Sequence, residues 1–227
     1  MTALPPAPVL PAPTGIDHGA LLTLVQWLSP AFPTGSFAYS HGLEVAIATG
    51  DVTTPAALSE WVTDILAHGA GRTDAILLAH ALRPGADHAH LAALARALAA
   101  TAERLRETDE LGAALTLATN ALNGTAHAPA PLPVALGRAA AVLALPTDLV
   151  LALSLQSFAT TLILAAVRFM PMGQTDGQRI LAGLHPLILR LAEQAAIAPL
   201  SAIGSATIRA DIASAHHETL DVRIFRT

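Results

Sequence analysis

Between Asp148 and Arg168 the chain runs for 19 residues, Leu149 to Val167, without a charge. That run constrains the fold more than any other feature. It is long enough to cross a bilayer, and equally suited to the centre of a helical bundle or a subunit contact. Ser154, Gln156, Ser157, Thr160 and Thr161 interrupt it, and no second segment of the same quality accompanies it. This favours a buried helix in a folded domain, with a membrane-associated helical protein as the alternative.

The surrounding periodicity is helical as well. Leu21, Leu24, Val25 and Leu28 form a first stripe that Pro30 ends. Thr54 caps a helix with Pro55 at its first position, and Leu58, Trp61, Val62, Ile65 and Leu66 recur at helical spacing. Leu91, Leu94 and Leu98 continue towards Leu105. After a break, Leu111, Leu115, Ala118 and Leu122 form another stripe that Asn123-Gly124 stops. Pro129 to Pro133 reads as a connector. Ile180, Leu184, Leu187, Ile188 and Leu191 share one face of a helix that Pro186 is expected to kink or restart. Leu220, Val222 and Ile224 are the one alternating, strand-like set. The predicted fold is all-α, a single-domain helical bundle with a flexible proline-rich N-terminus and a mobile C-terminal tail. Residues 1–17 form the lead, 18–208 the helical domain and 209–227 the tail. The uncharged lead holds five prolines between Pro5 and Pro13, and lacks the basic region and unbroken apolar run of a signal peptide.

Composition narrows the chemistry. The 227 residues fit one domain, yet only 13% are charged against a usual share of about 25%, so much of the surface is expected to face another subunit, a partner or a membrane. All 12 basic residues are arginine, and cysteine is absent. There is accordingly no lysine for a Schiff base or phosphate loop, no thiol nucleophile and no cysteine metal motif. A net charge of −5 without an arginine cluster argues against nucleic-acid binding.

Three segments stand out. The first, Ser29 to Glu44, has two prolines and two glycines around Phe37, Tyr39, Ser40, His41 and Glu44. It reads as a packed turn or a rigid partner-binding loop; a serine-type hydrolase centred on Ser40 and His41 is the enzyme alternative, although no nucleophile elbow surrounds Ser40. The second, Met170 to Arg179, places Gln174, Thr175, Asp176 and Gln178 on one turn. Thr175 or Asp176 is the expected helix cap, and the amides suit recognition of a protein face. The third is the tail, with His216, His217, Glu218, Asp221, Arg223, Phe225 and Arg226. Adjacent histidines on a helix diverge by about 100°, so no metal site is assigned there, nor at Asp87, His88 and His90 or at Asp64 and His68.

Together these segments resemble the UreF-type urease accessory proteins. The match comprises Ser-Pro-x-x-Pro-x-Gly-x-Phe-x-Tyr-Ser-x-Gly-Leu-Glu from Ser29 to Glu44, Pro-x-Gly-Gln-Thr-Asp-Gly-Gln from Pro171 to Gln178, and His-Glu-Thr-x-x-x-Arg-x-Phe-Arg from His217 to Arg226. Arg106-Glu107-Thr108-x-Glu110-Leu111 is also similar. The resemblance implies a cytoplasmic, homodimeric, non-catalytic protein without a cofactor or bound metal of its own. It would act in nickel insertion into apo-urease by bridging a UreG-type GTPase and a UreD/UreH-type accessory protein, with a role in regulating the GTPase. Carried over, the GTPase-facing residues would be Tyr39, His41 and Glu44 with Gln174, Thr175 and Gln178. The tail would be ordered by the second accessory protein, with Phe225 as apolar anchor and Arg223 and Arg226 paired to carboxylates. Phe37, Ser40, Asp176, His217 and Glu218 complete the expected partner-binding set.

Overall fold

Ten α-helices follow one another among residues 15–226, which the computed structural model describes. The lead through Thr14 and the terminal Thr227 lie outside the described residues. Helix α1 (His18–Trp27) is capped by Asp17, whose carboxylate accepts the N–H of Gly19 and of Ala20. The loop after it holds one 3-10 turn, Ser36–Ala38, and leads into the short α2 (Leu43–Ala48). Helix α3 (Pro55–His68) starts at the predicted Thr54 cap, with Thr54 Oγ1 accepting from Ala57. Then come α4 (Ala70–Ala81), α5 (His88–Ala97), α6 (Ala102–Asn123), α7 (Leu132–Ala140), α8 (Thr147–Phe169), α9 (Gln174–Ile197) and α10 (Ile208–His217).

The uncharged run is α8. Val150, Leu151, Leu155, Ala159, Leu162, Ile163 and Ala166 face inward, and the helix packs against α9, α2, α3 and α4. By length and composition α8 and α9 are both apolar enough to cross a membrane. Burial against four helices accounts for the apolar side of α8 within the fold itself.

Several local expectations change. The break in the middle helices falls earlier than predicted: Thr101 caps α6 by accepting from Arg104 N–H at 3.1 Å, and α6 then runs unbroken for 22 residues to a left-handed Gly124. A hydroxyl that can satisfy a free helix N–H outcompetes the apolar stripe leading to Leu105. Helix α9 passes through Pro186, which sits on its exposed side while Leu181, Leu184, Ile188 and Leu191 hold the buried side. Its N-cap is Gly173 rather than Thr175 or Asp176; Asp176 is one turn in, accepting the Gly173 N–H at 3.3 Å. Residues 220–224 are irregular, with bends at 221, 222 and 224, rather than a strand, because no strand among the described residues offers them a ladder. The tail is docked in this structure, with α10 crossing the expected boundary at residue 208 and packing against α2 and α6.

Candidate functional site

Glu103, Glu107 and Glu110 follow the spacing i, i+4, i+7 on α6 and so share one helix face. Onto that face fold the loop before α2 and the tail after α10, segments separated from it by 66 to 120 residues in most of the contacts. The loop reaches it through tight backbone geometry. His41 and Gly42 both have positive φ, and a Cβ on Gly42 would stand 2.6 Å from the Ser214 nitrogen of α10. Only glycine fits the turn and the close helix approach together.

The side chains interlock along α6. The Tyr39 hydroxyl donates to Glu110 Oε2 at 2.7 Å, and Arg226 Nη1 donates to the same oxygen at 2.8 Å. His41 Nε2 lies 2.8 Å from Glu107 Oε1, with its ring edge-on to Phe158 at 4.8 Å. Arg104 bonds Asp74 of α4 and lies 3.4 Å from Glu107 Oε2. His217 sits between Glu103 at 2.9 Å and Glu44 at 3.2 Å. Arg223 donates to Glu103 at 2.7 Å, while Glu218 accepts the Glu103 backbone N–H at 3.1 Å. Glu44 accepts the N–H of Ile224 at 3.1 Å and of Phe225 at 2.9 Å, and Arg226 N–H donates to Ala38 at 2.7 Å. Five carboxylates (Glu44, Asp74, Glu103, Glu107, Glu110) thus meet three guanidiniums (Arg104, Arg223, Arg226) and two imidazoles.

Burial tunes these groups. It pushes the Tyr39 hydroxyl up to about 12, an effect strengthened by the bond to Glu110. Burial alone would raise Glu107, but His41 and Arg104 hold its carboxyl below the ordinary range. Burial raises Asp74 against the pull of Arg104. For Arg104, burial opposes the charge, yet Asp74 and Glu107 together push the guanidinium above its usual value.

The predicted residues divide into two sets. Tyr39 at 3% exposure, Ser40, His41, Glu44, His217 and Phe225 are buried within the chain, so their side chains face its own interior. Phe225 lies 5.1 Å from the Phe169 ring with the Arg168 guanidinium 5.8 Å from its centroid, and Arg168 in turn donates to the Phe37 carbonyl at 3.1 Å. The carboxylates that meet Arg223 and Arg226 are those of α6. Phe37, 58% exposed, remains outside with Gln174, Thr175 and Gln178; Asp176 is half-buried and pairs with Arg179 at 2.7 Å. Ser40 is fully buried, its Oγ 3.4 Å from the Glu44 N–H it caps, so no ester or peptide can reach it. Among the described residues no group of three or more histidine or acidic side chains is arranged to hold a metal ion.

Sequence reasoning missed Asp74, Glu103, Arg104, Glu107 and Glu110 as members of the site. The three glutamates had a readable signal, acids at i, i+4 and i+7 on a predicted helix; Asp74 had none.

A family model described as UreF matches residues 52–185. The chain is 64% identical over 208 residues to the urease accessory protein UreF of Cereibacter sphaeroides (strain KD131), spanning 92% of this chain and 99% of that protein. It is 51% identical over 210 residues to the protein of the same name from Paracoccus denitrificans, covering 92% and 97%. The corresponding protein of Roseobacter denitrificans is 47% identical over 209 residues, covering 92% and 94%.

Proposed function

The chain belongs to the UreF family, whose members are accessory chaperones rather than enzymes, and on that premise we propose that it bridges a UreG-type GTPase and a UreD/UreH-type accessory protein during nickel insertion into apo-urease. The observation that carries this reading is the convergence of the first loop, the α6 acids and the tail on one partly buried charge cluster. A chain that invests this many paired charges in holding its own C-terminus presents that terminus as a shaped surface.

In this reading the docked tail offers exposed Val222 and Ile224 to the second accessory protein, with Arg223 beside them. Phe37, Gln174, Thr175 and Gln178 form the exposed set for the GTPase, and Asp176 orients their turn through Gly173 and Arg179. Tyr39, Ser40, His41, Glu44, His217 and Glu218 act from beneath, fixing loop and tail against α6. The cytoplasm is the compartment in which these partners would meet, and GTPase regulation would follow from contact at the Phe37 face.

A homodimer is the third part of the proposal. From His18 to Leu43 and from Leu111 to Gly137 only Glu-free, Asp-free and Arg-free sequence occurs, and Leu22, Val25, Leu117 and Leu122 are exposed there. Uncharged helix faces of this kind are covered in assemblies.

Co-purification from cells producing the urease operon tests the scheme. Phe225→Ala with Arg226→Ala should lose the second accessory protein, and Phe37→Ala with Gln178→Ala should lose the GTPase while keeping the other partner. Intact complexes in both variants would refute the assignment of these surfaces.

A further inference from the structure

His217 is fully buried, and each of its ring nitrogens faces a carboxylate oxygen: Nδ1 lies 2.9 Å from Glu103 Oε2 and Nε2 lies 3.2 Å from Glu44 Oε2. A neutral imidazole carries one N–H and one lone pair. It can donate to one of these oxygens, and would then set its lone pair against the other in a site closed to water. The remaining oxygens are already engaged by donors that keep their protons. Glu103 Oε1 accepts from Arg223 at 2.7 Å and Glu44 Oε1 from the Ile224 N–H at 3.1 Å, while Glu44 Oε2, the oxygen that faces the ring, also accepts from the Phe225 N–H at 2.9 Å.

Charge balance points the same way. The charged groups in contact with this ring are Glu44 from α2 and Glu103 from α6, with Arg223 of the tail on the far oxygen of Glu103. Glu218 is turned to the Glu103 backbone, and His41 with Glu107 forms the next pair one turn along α6. Two carboxylates against one guanidinium leave a buried excess of one negative charge, and one added proton cancels it. Buried ion clusters persist when they are neutral and fully hydrogen-bonded.

We propose that docking of the tail captures one proton in the Glu44–His217–Glu103 cluster, making residues 208–226 a latch that closes by protonation. Undocking returns the three groups to water, where the shared proton is no longer held. The docking equilibrium is therefore coupled to pH, strengthening towards acid and weakening towards alkali.

The absence of cysteine allows a clean test, since Val222→Cys at an 80% exposed position accepts a single trifluoromethyl label. In the full chain, the fluorine signal of the docked tail should give way to that of the undocked tail as the pH is raised beyond the range in which a free imidazole is protonated, the docking constant falling by up to about tenfold per pH unit as one proton requires. Glu44→Gln supplies an amide N–H for the neutral ring while its oxygen still accepts from Ile224; the Phe225 N–H loses its acceptor, so docking should be weaker than in the parent but flat over the same range. His216→Ala, at the exposed neighbouring histidine, should keep the parent slope. A flat profile in the labelled parent, a slope that survives Glu44→Gln, or one that vanishes in His216→Ala overturns the proposal. In the unsubstituted chain, the ring nitrogens of His217 should both show an attached proton in the docked state. A single N–H there also overturns it.

Discussion

Replacing Glu103 by alanine removes the acceptor shared by His217 and Arg223 and leaves the helix backbone of α6 intact. The two losses differ in size. Arg223 keeps 40% of its side-chain surface in water, so its pair with Glu103 is worth about 0–1 kcal/mol. His217 has no such exposure, and stripping one partner from a buried pair costs about 3–5 kcal/mol. The penalty stops growing once the tail leaves its seat, because His217 then recovers water. Glu103→Ala should therefore release the tail rather than unfold the bundle. Hydrogen exchange resolves the two. The amides of Ile224, Phe225 and Arg226 donate to Glu44 and Ala38 in the docked state, and at about 3 kcal/mol they should exchange about 100-fold faster in the variant. Amides in the buried centre of α8 should change by less than about tenfold. Unchanged protection at residues 224–226, or equal loss in α8 and the tail, would refute the reasoning.

Gly112→Ala should destabilise the protein although alanine is the better helix former by about 1 kcal/mol, because its Cβ would lie 1.9 Å from the Ala130 carbonyl oxygen and 2.6 Å from the Leu132 nitrogen. Backbone cannot rotate aside as a side chain does, so a net loss of about 1–3 kcal/mol is expected in urea unfolding, and a variant as stable as the parent would contradict it. Tyr39 is the only tyrosine and the chain has no lysine, which leaves its hydroxyl as the one side chain titrating in the alkaline range below arginine. Its folded value of about 12 exceeds the unfolded one near 10, so the contribution of Tyr39 to stability should be level below about pH 10 and be lost as pH rises towards 12. Tyr39→Phe should lack that fall, and tyrosinate absorbance appearing near pH 10 in the folded parent would show the hydroxyl to be unburdened.

Helices were readable where one local rule decided them. Thr54-Pro55 and Asn123-Gly124 bounded their helices as expected, since a cap hydroxyl, a fixed proline φ and a left-handed glycine act within a few residues. Where two local rules competed, periodicity misled: Thr101 capped a helix that the Leu91–Leu98 stripe suggested would continue. The same holds for Pro186, which α9 tolerates because its buried stripe lies on the other side.

By itself, the sequence determined an all-helical domain, the chemistry it lacks and the three segments that mark it as a UreF-type chain. Helical period, caps and motif order are properties of neighbouring residues, and they survive in one dimension. That Tyr39, His41 and Glu44 turn inward, and that the carboxylates meeting Arg223 and Arg226 belong to α6 of the same chain, follows from the folded arrangement. Pairing of loop and tail with distant acids across 66 to 173 residues has no period to read. It arises when the loop and the tail close over one helix face, where low dielectric makes an unmet charge costly and so favours the arrangement that pairs them.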